Sequence, residues 1–400
     1  MTTHVSVAPG FDSTHWNDDG SLYRSVPWIE SMGSRVGDLP YSVTVSDGEG
    51  GASLLGYLHE PDPDRYEAFN LAALLARTPP VFPVEGAIDG AVRDVVGPGA
   101  TAATEAALGS CLVIALPGYG DPLGQAATEP VYGERLLSAT VDFATEREVA
   151  MLALLYVPQR AEVTTLLEAH GFRRFSLTRR AELPLPPEPG MAAWLESLGS
   201  SKRRREMSRQ QRRIRELGLR TYRSDGDRAR AVVVDLRVAH LEQLGQVADR
   251  ARERERLERL QARFPDSEIR LTEYDGNPVG ASVTLTYGRT THVVLSAVDH
   301  GVAPPLTFFE VTYYAIIRER ATLSSSIDLG IGHLEGKVAR GAVLRELDGW
   351  VRPVRPRCPE LLGRILDARC TGTADPTTEG VPRATANTPH SPEHSGGTQA

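Results

Sequence analysis

Between Glu268 and Gly330 the chain has few architectures open to it. Ile269 to Tyr274, Val279 to Tyr287 and His292 to Val298 read as strands, the first two separated by the turn Asp275-Gly276-Asn277-Pro278. An Asp-Gly turn flanked by strand-like runs joins antiparallel neighbours, so this stretch predicts a β-meander. A helix from about Leu306 to Ala321 follows, and then a strand ending at Ile327-Asp328-Leu329-Gly330. A meander covered by a helix, with one more strand to place, points to a mixed α/β layer.

The first half alternates short strands and helices in the same manner. Cys111 to Leu116 reads as a strand and Glu134 to Glu148 as a helix; Ala150 to Pro158 then reads as a buried strand. Glu162 to His170 is a short amphipathic helix closed by Gly171, and Phe175 to Leu185 returns as an alternating strand. Pro184 to Gly190, with four prolines, reads as a linker. Beyond it, Ser200 or Ser201 can cap a strongly basic helix that Gly218 stops. A second helical stretch runs from Ala229 to Phe264 with a break near Gly245. Two domains suit 400 residues, of which 41% are apolar. The expected boundaries are 1–190 and 191–358, with the basic helix at 201–217 and a disordered tail at 371–400 rich in Thr, Pro, Gly and Ser.

Several function classes have no residues to support them. No basic segment followed by an apolar one opens the chain and no apolar run of membrane-spanning length occurs, so the expectation is a cytoplasmic protein without a membrane partner. Cys111, Cys358 and Cys370 have no metal-ligand spacing and read as buried free thiols. No HExxH, GxSxG, P-loop or kinase signature is present, and no metal is expected. Gly118-Tyr119-Gly120-Asp121 follows a strand but lacks the ending of a P-loop, so it reads as a loop that could border an acceptor pocket. The net charge of −8 excludes a surface basic throughout, though not a local basic patch. Of 44 cationic residues only Lys202 and Lys337 are lysine, which singles out those positions.

Two phrases carry a resemblance. Asp328-Leu329-Gly330-Ile331-Gly332-His333-Leu334-Glu335-Gly336-Lys337-Val338-Ala339-Arg340-Gly341, with the upstream Ser-Lys-Arg-Arg helix, resembles the GNAT-related acyltransferases that include the FemABX peptidyltransferases. The resemblance covers roughly residues 190–355, and more faintly the first half, where the helix closing on Gly171-Phe172 resembles the end of a GNAT fold. It implies two GNAT-like halves, mixed sheets flanked by helices, with a basic helical arm on the second. It also implies transfer of an acyl group to a nitrogen, from acyl-CoA in some members and from aminoacyl-tRNA in the FemABX branch.

The chain offers one discriminator between these donors. Acyl-CoA enzymes of this kind cradle a pyrophosphate on backbone N–H groups at a helix N-terminus. Here that place reads Asp299-His300-Gly301-Val302-Ala303-Pro304-Pro305, where two prolines remove two donors. Lys202, Arg203, Arg204, Arg205, Arg209 and Arg212, with Arg340 from the later phrase, are instead candidates for tRNA or another phosphate; a charge run of this kind also reads as a solvated helix face. Lys337, between glycines in an expected loop, is the candidate for holding a phosphate or an oxyanion, or else a surface lysine in a turn. Asp328 and Asp299 end neighbouring strands; each is a candidate base, and each reads equally well as a turn former. The expected activity is aminoacyl transfer from aminoacyl-tRNA to the amine or hydroxylamine of a small-molecule acceptor, forming an amide- or ester-type bond without a cofactor, in a pathway such as antibiotic biosynthesis. The alternatives are an acyl-CoA-dependent N-acyltransferase and a non-catalytic GNAT-like binding protein.

Overall fold

The structure is a computed structural model that describes residues 4–370 apart from 48–49, 63–66, 78–89, 98, 128, 244–247 and 320–323. The expected helix break at Gly245 and the expected tail at 371–400 lie outside the described residues. Among the described residues twelve strands form one sheet. In chain order they are β1 (His4–Pro9), β2 (Pro40–Ser46), β3 (Gly51–His59), β4 (Cys111–Ile114), β5 (Met151–Pro158), β6 (Arg173–Pro184), β7 (Arg220–Ser224), β8 (Glu268–Tyr274), β9 (Asn277–Tyr287), β10 (Thr290–Val298), β11 (Ser326–Asp328) and β12 (Val343–Pro353). The meander expected from residue 268 onward is β8-β9-β10, antiparallel throughout.

Across the sheet the order is β1-β2-β3-β4-β5-β12-β6-β11-β10-β9-β8-β7. Read inward from one edge, β1 to β4 pair antiparallel, β4 and β5 pair parallel, and β5 meets β12 antiparallel. From the other edge β7 to β10 pair antiparallel, β10 and β11 pair parallel, and β11 meets β6 antiparallel. The halves therefore repeat one plan. Each completes the other's sheet, because β6 from the first half lies beside β11 and β12 from the second lies beside β5. At the centre β12 and β6 pair antiparallel from Val343↔Glu182 to Val351↔Arg173. Close packing there demands Gly349, where a Cβ would collide with the Phe175 ring.

The apolar cores are shared in the same way. Leu347, Val351, Leu362 and Ile365 pack in a core made otherwise mostly of first-half residues, while Leu22, Tyr23, Trp28 and Met32 pack under Ala229, Val233, Leu257 and Leu271 of the second half. The basic helix is Ser201–Glu216, capped by Ser200, whose side chain accepts from the Arg203 N–H. Met207 and Ile214, seven residues apart and hence on one helical face, bury against Tyr313, Tyr314 and Ile317. The basic helix is thus seated on the second half through these two residues. Cys111 is buried as expected, whereas Cys358 is exposed and Cys370 partly so, and none forms a disulfide. Among the described residues no helix is long and apolar enough to cross a membrane.

Candidate active site at the second strand fork

Parallel pairing of β10 with β11 lasts three residues, Thr290↔Ser326, Thr291↔Ile327 and His292↔Asp328. Past that point β10 continues to Val298 while β11 has ended, so the two strands part at His292 and Asp328. A bulge between Val293 and Leu295 takes Val294 out of the ladder with β9 on the other side. The fork therefore presents backbone that the sheet leaves unpaired, with ionisable side chains at its vertex.

Asp328 is fully enclosed there. Its Oδ2 accepts from the Tyr23 hydroxyl at 2.6 Å and lies 3.2 Å from Nδ1 of His292, and its Oδ1 accepts from the Gly330 N–H at 3.0 Å. Burial alone would raise the Asp328 carboxyl. The His292 hydrogen bond, the Arg180 charge from β6 and the Tyr23 hydrogen bond outweigh it and hold the group well below the usual carboxylate range. Such a carboxylate is a weak base, so the expected role of Asp328 as proton acceptor does not fit its surroundings. It acts on its neighbours instead.

Lys337 is not in a loop. It lies in the helix Leu334–Ala339, is 3% exposed, and donates from Nζ to the Leu329 carbonyl at 2.5 Å. Burial pushes its pKa down to about 7, with the Asp328 charge opposing. The surface-lysine reading is excluded; Lys337 fastens the turn after β11 just behind the fork. Arg340 is likewise buried: its guanidinium donates to the Gly336 carbonyl at 2.8 Å, Gln210 Oε1 at 2.6 Å and the Tyr314 hydroxyl at 3.2 Å, and lies 3.1 Å from the Phe309 ring centroid. Those bonds tie the basic helix to the fork and use three of its five N–H donors, and with 4% of its surface exposed Arg340 offers little access to the phosphate expected of it.

Asp299 is kept away from this cluster. Six residues of strand, 293–298, lie between it and His292, a span of about 20 Å at strand rise. Its Oδ1 accepts from Gln243 Nε2 at 2.9 Å and from the Gly301 N–H at 3.0 Å, the turn-forming alternative. The same loop consumes its own amides. The His300 N–H goes to Gln243, those of Val302 and Ala303 go to the Asp299 carbonyl, and Pro304 and Pro305 have none. Leu306 then turns left-handed at φ 77°, and Glu310–Tyr314 is wound as a π-helix. From His300 to Pro305 every amide is thus bonded to a protein acceptor or absent.

A groove of about 1480 Å³ runs along the basic helix, between it, Met191 and Leu195, β7 and the helix that carries Glu310 and Arg318. Lys202, Arg204, Arg205, Arg209 and Arg212 line it, joined by Arg215; Arg203 is not among its lining residues. Arg220 and Arg318 add cations from other elements, and Arg318 pairs with the buried Glu310. Arg204 also donates to the Leu198 carbonyl, and Arg209 pairs with Glu206 at 2.6 Å.

The first half has an equivalent fork, filled by rings. After β4 and β5 part, Tyr119 and Tyr156 meet at 4.8 Å between centroids, and Phe69 packs 5.8 Å from Tyr156. The Gly118 segment, read as a loop that could border an acceptor pocket, is packed tightly: at φ +89° a Cβ on Gly118 would stand 2.5 Å from Tyr23 Cε1. Chemistry-bearing groups therefore gather at the second fork. Sequence reasoning missed His292, Tyr23 and Arg180 there, since each sits in a locally unremarkable context. Among the described residues no three His, Cys, Asp or Glu side chains gather as a metal site.

Residues 201–337 match the family model described as the acetyltransferase (GNAT) domain, a stretch that runs from the basic helix through the fork to Lys337. The second half is accordingly an acyltransferase domain of GNAT type. The chain as a whole has the fold of FemX, with a TM-score of 0.52, 12% identity, and coverage of 92% of this chain and 100% of that one. L-PGS from Bacillus licheniformis aligns at a TM-score of 0.43 with 13% identity over 65% of this chain and 83% of its own. A tandem GNAT protein from the clavulanic acid biosynthesis pathway aligns at 0.40 with 10% identity over 88% and 99%. No curated protein matches the sequence.

Proposed function

We propose that this GNAT-type acyltransferase moves an aminoacyl group from aminoacyl-tRNA to the nitrogen of a small amine or hydroxylamine acceptor in a biosynthetic pathway. The observation that carries this reading is the large groove lined by the cations of helix Ser201–Glu216, on a chain whose net charge is −8. A groove of that size and sign suits a polyphosphate chain, whose binding releases counterions. The loop after β10 supports the same choice of donor, since the amides of residues 300–303 are bonded to protein acceptors and Pro304 and Pro305 have none. The FemX-like fold is consistent with it, because the FemABX resemblance implies an aminoacyl-tRNA donor.

An aminoacyl ester is already activated, so the protein has to align nucleophile and carbonyl, accept a proton and stabilise an oxyanion. At the fork, the unpaired backbone around Val294 is suited to the oxyanion. The Lys337 ammonium, held on Leu329, supplies positive charge behind it.

The test is incubation of the purified protein with radiolabelled aminoacyl-tRNAs and small amines or hydroxylamine, alongside an acetyl-CoA control. Protein-dependent transfer from one charged tRNA is expected. The double variant Arg209→Glu, Arg212→Glu should weaken tRNA binding and flatten its dependence on log salt by roughly one unit for each phosphate that is no longer neutralised. Turnover of acetyl-CoA with all tRNAs inert would overturn the donor assignment and leave an acyl-CoA enzyme that holds its pyrophosphate on arginines.

A further inference from the structure

His292 stands at the vertex of the fork with one ring nitrogen committed and the other open. Asp328 is ionised, and a carboxylate can only accept, so Nδ1 of His292 at 3.2 Å must carry the hydrogen. Neutral His292 is therefore the Nδ1–H tautomer, and the lone pair lies on Nε2. Among the described residues Nε2 makes no hydrogen bond, and the side chain, mostly buried, keeps 9% of its surface open. Tyr23 packs edge-on against the imidazole at 5.4 Å between centroids and donates to the same Asp328 oxygen. Arg180 from β6 and Lys337 from the helix behind the fork face Asp328, so the charges around the ring are one carboxylate and two cations beyond it.

We infer that His292 is the proton acceptor for the attacking nitrogen, with Asp328 and Tyr23 as its positioning residues. The inference rests on the acyl-transfer reading of the fork and holds for either donor. In the step, the acceptor nitrogen bonds to the acyl carbon and the carbonyl π pair moves to oxygen. The proton displaced from nitrogen passes to Nε2, forming an imidazolium that Asp328 balances. The acyl carbon–oxygen bond then breaks, and the departing alkoxide takes that proton back, so that an ester and an amine leave as an amide and an alcohol. With a thioester donor the departing group is the thiol. Tyr23 comes from the first half, so the proton acceptor is aligned only when both halves are in place.

The experiment pairs kinetics with a measurement that needs no turnover. Long-range ¹⁵N–¹H spectra of the full chain, with His292 assigned by its loss in His292→Gln, should show the Nδ1–H tautomer; Asp328→Asn should shift the population toward Nε2–H. In the transfer assay His292→Gln should lower kcat by about 10²- to 10⁴-fold with KM little changed, and should erase the acidic limb of the pH–rate profile. Tyr23→Phe should keep that limb but displace it. An Nε2–H tautomer in the wild type would overturn the assignment, as would a His292→Gln variant that keeps the wild-type rate and acidic limb. A wild type inert toward both donors would remove the reaction itself and the proton acceptor with it, a result distinct from an active wild type indifferent to His292.

Discussion

Replacing Lys337 by methionine should make the protein more stable at pH 6 and leave it little changed at pH 9. Burial lowers the Lys337 pKa to about 7 from 10.5. Below pH 7 the folded and unfolded chains both carry the proton, and the whole cost of the enclosed ammonium is present. Between pH 7 and 10.5 the unfolded chain holds more protons than the folded one, so stability rises with pH until the cost has gone. At about 1.4 kcal/mol per unit of pKa, the cost is on the order of 5 kcal/mol at pH 6 and about 2 kcal/mol at pH 9. Methionine removes that cost but strands the Leu329 carbonyl, a loss of about 1–3 kcal/mol. The variant should therefore gain about 2–4 kcal/mol at pH 6, and the gain should fall by about 3 kcal/mol by pH 9. Urea unfolding of both proteins across that range measures the difference directly. A gap that stays constant with pH, or a variant less stable at pH 6, would refute the reasoning.

Other substitutions test the packing and the buried acids. Gly118→Ala forces a side chain into positive φ and into the Tyr23 ring, and should cost about 2–4 kcal/mol, seen as a lowered Tm; an unchanged Tm would contradict the role given to that loop. Burial raises Asp348 to about 6 despite Arg174, so the folded state holds its proton more tightly and stability from this group is lost as pH rises from 3.8 through 6. Asp348→Asn should accordingly stabilise by up to about 3 kcal/mol at pH 7 and by far less at pH 4, and equal effects at the two pH values would count against it.

The parts of this protein legible in its sequence are those governed by neighbours along the chain. The meander from Glu268 to Val298 follows from strand alternation and an Asp-Gly turn, and helix Ser201–Glu216 from its Ser200 cap and the stop at Gly218. The fork is written differently. Tyr23 reaches Asp328 across 305 residues of sequence, and His292 looks like any polar strand residue until β11 is placed beside it. Lys337 misleads for a local reason: its helix is six residues long, follows His333 at φ 52° and contains Gly336, so glycine content outweighs helical pattern. Arg340 reads as a phosphate-binding candidate because nothing nearby in sequence announces Gln210 or Tyr314 as partners. The trading of β6 and β12 between halves is equally invisible, since pairing of distant strands has no local signature.

That trade bears on how the molecule is made. During synthesis β1 to β5 emerge early, yet the edge of β5 that β12 will cover stays bare until residues 343–353 have left the ribosome. An uncovered, wholly apolar strand such as Met151–Pro158 is the kind of edge that recruits strands from other chains. Expression of residues 1–190 alone would freeze the nascent chain in that exposed condition. Splitting this protein at its proline-rich linker should therefore yield two adhesive fragments in place of two working modules, and co-expression of both pieces should recover them.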